Sequence, residues 1–123
     1  MNGSRVLIDT NIALYLFKGD KNLGSILQDV ETYASFINEL ELLGFKGITL
    51  KEETWVELFL EECIIVDINA GIKEITKQIR RNYSLKLPDA IIAATAIFLG
   101  VPLLSADKQF GQVSGLTFVL YEP

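Results

Sequence analysis

Short apolar runs alternate along this chain with longer stretches whose apolar residues recur at helical spacing. That alternation restricts the fold more than any other feature. An apolar run too short for a helix, bounded by polar or turn residues, reads as a buried strand. Strands that take turns with helices build βαβ units around a parallel sheet.

Val6-Leu7-Ile8 reads as the first buried strand, followed by a helix over 11–17 and a second short one over 23–28. Tyr33-Ala34-Ser35-Phe36 reads as strand two, leading into a helix that stops near Gly44. A helix over 50–62 is expected to turn Trp55, Leu58 and Phe59 to the core and its glutamates mostly outward. Cys63-Ile64-Ile65-Val66 reads as strand three, and Ile72, Ile75 and Ile79 mark a helix over 70–83. Pro88 opens a strongly apolar helix over 90–99, stopped by Gly100; its alanines suit close packing on a sheet. Leu103-Leu104 and Phe118-Val119-Leu120 complete five strands, giving a three-layer α/β/α sandwich.

The chain has 123 residues, no repeat and no linker-like tract, and so reads as one domain over 1–123. Half of its residues are hydrophobic, which excludes disorder. No apolar run approaches the roughly 20 residues needed to span a bilayer, and no signal-peptide pattern opens the chain; the reading is cytoplasmic. Cys63 is the one cysteine and reads as a buried, reduced thiol. There is no histidine, which removes Ser-His-Asp and Cys-His catalysis and every histidine-ligated zinc site. Chemistry here must rest mainly on carboxylates, hydroxyls, lysines or a metal held by oxygen. The formal charge of −5 weighs against nucleic-acid binding, although Lys73, Lys77 and Arg80, with Arg81 and Lys86 nearby, form a basic stripe. That stripe is a candidate contact for RNA or an antitoxin, although a solvated helix face is the commoner meaning of such a pattern.

In open parallel sheets the ligand site lies off the carboxyl ends of the strands. Asp9-Thr10-Asn11 follows strand one, and Ser105-Ala106-Asp107 follows strand four. Asn38, Glu39 and Glu41 open the helix after strand two, and Asp89 stands in the first turn of the apolar helix. Each has a plain alternative. Asp9 or Asp107 could simply cap a helix, Asn38 with Glu41 has the spacing of a capping box, and Asp89 complements a helix dipole. Convergence of all four acids is harder to explain as capping. Two carboxylates at about 4 Å repel by roughly 4 kcal/mol at an effective dielectric near 20. Shared protons or a bound cation must relieve such a cluster, and an all-oxygen donor set favours Mg²⁺ or Mn²⁺.

Leu7-Ile8-Asp9-Thr10-Asn11-Ile12 resembles the opening motif of PIN domains, including the VapC toxins of prokaryotic toxin–antitoxin pairs. Leu87-Pro88-Asp89-Ala90-Ile91-Ile92 begins a helix similar to that of their third acid, and Ser105-Ala106-Asp107-Lys108-Gln109-Phe110 resembles their closing motif. The second acid is commonly reached through Ser or Thr followed by Thr-x-x-Glu. Aligning Ser35, with Asn38 where Thr is usual, puts that acid at Glu41, with Glu39 as competitor. The resemblance implies a metal-dependent endoribonuclease. Asp9, Glu41, Asp89 and Asp107 would bind Mg²⁺ or Mn²⁺, and Thr10, Asn11 and Ser105 would orient carboxylates or water. It further implies cleavage that leaves the phosphate on the 5′ end of the downstream fragment, a homodimer, and inhibition by a small cognate antitoxin. Phe17, Phe45 and Phe98 are candidate interface residues.

Two rivals agree with parts of the pattern. A response-regulator receiver domain shares the length, the five-stranded sheet and a Mg²⁺ site, with Asp67 after strand three as phosphoacceptor. It lacks the paired acids of strand one, since Ile8 and Thr10 flank Asp9. A PIN fold that binds its partner without turnover is the other.

Overall fold

The computed structural model describes residues 4–123. Five parallel strands, β1 (Arg5–Ile8), β2 (Glu31–Ser35), β3 (Ile64–Val66), β4 (Leu103–Ser105) and β5 (Phe118–Leu120), form one sheet in the order β3-β2-β1-β4-β5. Six helices connect them: α1 (Thr10–Phe17), α2 (Lys21–Leu27), α3 (Phe36–Leu43), α4 (Leu50–Glu61), α5 (Ala70–Asn82) and α6 (Leu87–Leu99). A 3₁₀ helix, Lys108–Gln112, precedes β5. This is the expected α/β/α sandwich. None of the described helices is long and apolar enough to cross a membrane.

Side chains alternate across the strands, so each feeds both faces of the sheet. Leu7 and Leu103 pack with α5 and α6 around Ile72, Ile79, Ile92 and Phe110. Ile8, Ala34 and Leu104 face the opposite layer, with Ile12, Leu23, Leu42, Val56 and Leu60 from α1 to α4. Apolar residues on both faces are why the strands carry unbroken apolar runs. Gly100 ends α6 at φ 69°, the left-handed conformation that glycine adopts without cost.

The chain leaves β1 for β2 and then β3 on one side, then crosses back through α5 and α6 to β4 on the other side of β1. The sheet therefore reverses its order between β1 and β4, and the segments leaving these neighbouring strands pack on opposite faces of the sheet, the arrangement that forms a ligand crevice in such folds. Receiver domains use the order 2-1-3-4-5. The observed order excludes that rival, and Asp67 lies exposed beyond β3 on the sheet edge.

Several local expectations are corrected. Strand two ends at Ser35, and Phe36 already belongs to α3. Ser35, not Asn38, caps that helix: Ser35 Oγ accepts from the Ile37 amide at 3.0 Å, and Asn38 Oδ1 accepts from the Ser35 amide at 2.8 Å. The capping box is thus Ser35 with Asn38 rather than Asn38 with Glu41. On α4, Trp55 and Leu58 are 51% and 59% exposed, while Val56 and Leu60, four residues apart, carry the buried stripe. Apolar residues on adjoining faces made the phase of that helix ambiguous. Cys63 precedes β3 and is only partly buried.

Candidate functional site

Asp9 follows the last residue of β1, and its amide donates to the Leu104 carbonyl at 3.1 Å, which ties the β1 and β4 ends together. Its carboxylate is 6% exposed. Oδ1 accepts from the Thr10 amide at 2.8 Å, capping α1, and Oδ2 accepts from Ser105 Oγ at 2.9 Å. Ser105 Oγ in turn accepts from the Asp107 amide at 3.0 Å. Asp107 caps the 3₁₀ helix by accepting from the Gln109 amide at 3.1 Å. Capping and a place in the crevice are not alternatives for Asp9 and Asp107; each does both.

Glu41 reaches the group from α3. Its Oε1 accepts from Thr10 Oγ1 at 2.6 Å, and Asn38 Nδ2 donates to the same hydroxyl at 3.0 Å. Asp89, in the first turn of α6, accepts through Oδ2 from Gln109 Nε2 at 3.2 Å, and the same amide nitrogen donates to Asp107 Oδ2. The four acids therefore gather at the β1–β4 switch. The electrostatics agree with the geometry. Burial pushes the Asp9 carboxyl up, with further rises from Asp89 and Glu41 that the Ser105 and Thr10 bonds partly offset. Burial also raises Asp89, with Asp107 and Glu41 adding to it and Gln109 and Lys86 opposing it.

Glu39 makes no side-chain hydrogen bond among the described residues and contributes nothing to these shifts. Two residues along a helix turn a side chain about 200° around the axis. Glu39 thus points away from the face that Glu41 presents. Asn11 is exposed and also forms no side-chain bond, so nothing ties it to the acids.

Across the described residues, no ion pair reaches the four acids; Lys77 pairs with Glu74 at 3.2 Å on α5. Arg80 Nη1 donates to the Leu85 carbonyl at 2.8 Å, so part of the basic stripe serves the fold.

A PIN domain model matches residues 6–116, nine-tenths of the chain. The chain belongs to the PIN domain family. Its fold is shared by solved structures of toxin–antitoxin assemblies. A toxin–antitoxin complex from Klebsiella pneumoniae is 32% identical with a TM-score of 0.81, over 96% of this chain and 99% of that one. VapBC2 from Rickettsia felis, bound to a DNA fragment from its promoter, is 18% identical with a TM-score of 0.81 over the same shares. DNA-bound VapBC from Salmonella typhimurium is 19% identical, also at 0.81, covering 94% of this chain and 97% of that one. Comparison with curated proteins gave no match.

The donor set of this PIN domain fits a hard divalent cation, since every acidic side chain in the crevice offers oxygen and none forms an ion pair among the described residues. It is not a closed cage. Among the described residues no group of three or more acidic, cysteine or histidine side chains stands ready to hold an ion. The carboxylates are engaged by hydrogen bonds instead: Thr10 donates to Glu41, and the Gln109 amide bridges Asp89 and Asp107. Asn38 and Gln109 are two residues beside the acids that the sequence reading did not count among the candidate site residues. Position and motif named Asn38 as a replacement for Thr, while Gln109 carried no signal, because its reach depends on the 3₁₀ turn.

Proposed function

We propose that this PIN domain is a divalent-metal-dependent endoribonuclease, the toxin of a VapBC-type pair, with Asp9, Glu41, Asp89 and Asp107 as its cation ligands. One observation carries the reading: four carboxylates gather around the topological switch, two of them raised by burial and mutual repulsion, with no ion pair to any of them among the described residues and only Lys86, beyond ion-pair distance, easing Asp89. Mg²⁺ or Mn²⁺ bound there would lower the pKa of an attacking water and offset charge on the phosphate. The protein's own work is positional. Ser105 holds Asp9 and the Asp107 backbone in one register, Thr10 aims Glu41, and Gln109 bridges Asp89 and Asp107. The four carboxylates would hold the ion, with Thr10 and Gln109 keeping Glu41, Asp89 and Asp107 oriented toward it.

An antitoxin partner has a surface to cover. Leu14, Phe17, Leu42, Phe45, Trp55 and Val56 line a groove of about 460 Å³ between α1, α3 and α4, and Lys18, Lys51 and Glu52 add charge of both signs to its lining. Trp55 and Phe45 stand half-exposed in it, as an amphipathic segment of a small partner requires. Phe98 instead lies on α6, against Gly71 of the other layer. A homodimer is proposed from other exposed apolar side chains, Leu40, Leu87 and Phe98 among them, and solution mass decides it.

The reading predicts RNA cleavage that needs Mg²⁺ or Mn²⁺, gives 5′-phosphate ends, and disappears in folded Asp9→Asn. Wild-type rates in that variant, or full activity in chelator, would sink the assignment. Cells expressing the chain should stop growing unless the neighbouring small gene is co-expressed.

A further inference from the structure

Asn38 is 1% exposed, an unusual place for an amide whose visible task is to cap a helix. The capping box uses only its Oδ1, which accepts the Ser35 amide at 2.8 Å. Its Nδ2 turns instead across the crevice to Thr10 Oγ1, 28 residues earlier in the chain, at 3.0 Å. Capping does not account for that second contact.

Thr10 explains it. A hydroxyl has one proton to give and two lone pairs to accept with. Thr10 Oγ1 lies 2.6 Å from Glu41 Oε1 and 3.0 Å from Asn38 Nδ2. An amide NH₂ can only donate, so the contact with Asn38 commits a lone pair of Thr10 and leaves its proton for Glu41. Glu41 follows Asn38 by three residues on α3, which puts both on one face with Thr10 beside them. Glu41 is exposed and has a long, freely rotating side chain, and this is the one side-chain hydrogen bond it makes among the described residues. Without it, ordering the carboxylate costs rotamer entropy that must be met on ion binding.

We infer that Asn38 is a positioning residue for the Glu41 carboxylate, acting through the Thr10 hydroxyl; this rests on the reading of the acids as a cation site. The relay joins the start of α1 to α3 and aims the most exposed of the four acids into the crevice. Asn at this position, where relatives of the motif carry Thr, is then a working substitution and not a lapse.

The test is Mn²⁺ titration by calorimetry into the metal-free protein, with thermal melts in chelator alongside. Thr10→Val and Asn38→Leu should each weaken Mn²⁺ binding about tenfold or more, the range for groups that orient a ligand. The double variant should be no weaker than the worse single one, because both changes break one relay. Ser35→Ala loosens the same helix cap without touching the Asn38–Thr10 contact, and should stay within about twofold of wild type. Where Asn38→Leu does not fold, Asn38→Asp keeps the acceptor for the cap and removes the donor. It should also bind Mn²⁺ more weakly, although an added negative charge alone would strengthen binding. Additive losses in the double variant, an equal loss in Ser35→Ala, or tighter binding by Asn38→Asp overturns the role of Asn38. A wild-type protein that takes up no Mn²⁺ overturns the cation-site reading instead.

Discussion

Asp89→Asn should make the metal-free protein more stable and the metal-loaded protein less so. Asp89 is partly buried in the first turn of α6, where Asp107 and Glu41 repel its charge. A like charge at contact costs about 1 kcal/mol in a water-like medium and roughly four times that at an effective dielectric of 20. Taking the lower figure for each neighbour gives about 2 kcal/mol, and partial exposure with the favourable helix dipole reduces this to about 1 kcal/mol. An asparagine can still accept the Gln109 amide, so that bond is kept. For a domain of this size 1 kcal/mol corresponds to a melting shift of roughly 3–5 °C. The folded protein holds the Asp89 proton more tightly than the unfolded chain does. Wild-type stability is therefore lost as pH rises from the unfolded carboxylate value, near 4, through the raised folded value. The advantage of the variant should be full at pH 7.5 and shrink toward pH 4. Saturating Mn²⁺ should reverse the ranking, because a ligand at about 100 times its Kd adds roughly 2.7 kcal/mol to the protein that binds it. Melts in chelator and in Mn²⁺ across this pH range decide the matter. A variant that melts below wild type in chelator, or a gap that does not depend on pH, refutes the reasoning.

Glu41→Gln should weaken Mn²⁺ binding roughly tenfold or more, while Glu39→Gln, on the opposite face of α3, should leave it within about twofold; calorimetric titration compares them. Gly100→Ala should cost about 1 kcal/mol by urea denaturation, since the site has open space for a methyl group but a left-handed backbone. Burial first, and Glu62 second, push the Cys63 thiol up to about 11. Its alkylation at pH 7.5 should run about 100-fold slower than that of a free thiol and recover in denaturant.

Much of the fold was legible before any coordinates. Apolar runs too short for helices, set between helical repeats, required a parallel sheet, and Pro88 and Gly100 marked the apolar helix to within a few residues. The three acids in sequence-local motifs, Asp9, Asp89 and Asp107, were visible because strand ends and helix starts place such residues by local rules. Tertiary structure decided the rest. Strand order, and with it the exclusion of a receiver domain, depends on where α5 and α6 cross the sheet, which no local pattern encodes. Motif alignment already favoured Glu41 over Glu39, and the hydrogen bond that ties Glu41 to Thr10, 31 residues away, is what the tertiary structure adds; the face of α4 left open came from what the neighbouring helices already covered. Asn38 and Gln109 show the division most plainly. As residues they are an ordinary cap and an ordinary surface amide; packing alone brings their donors to Thr10 and to the paired carboxylates of Asp89 and Asp107. Local propensity is written over a few residues, while the direction of a buried side chain is set by neighbours distant in sequence.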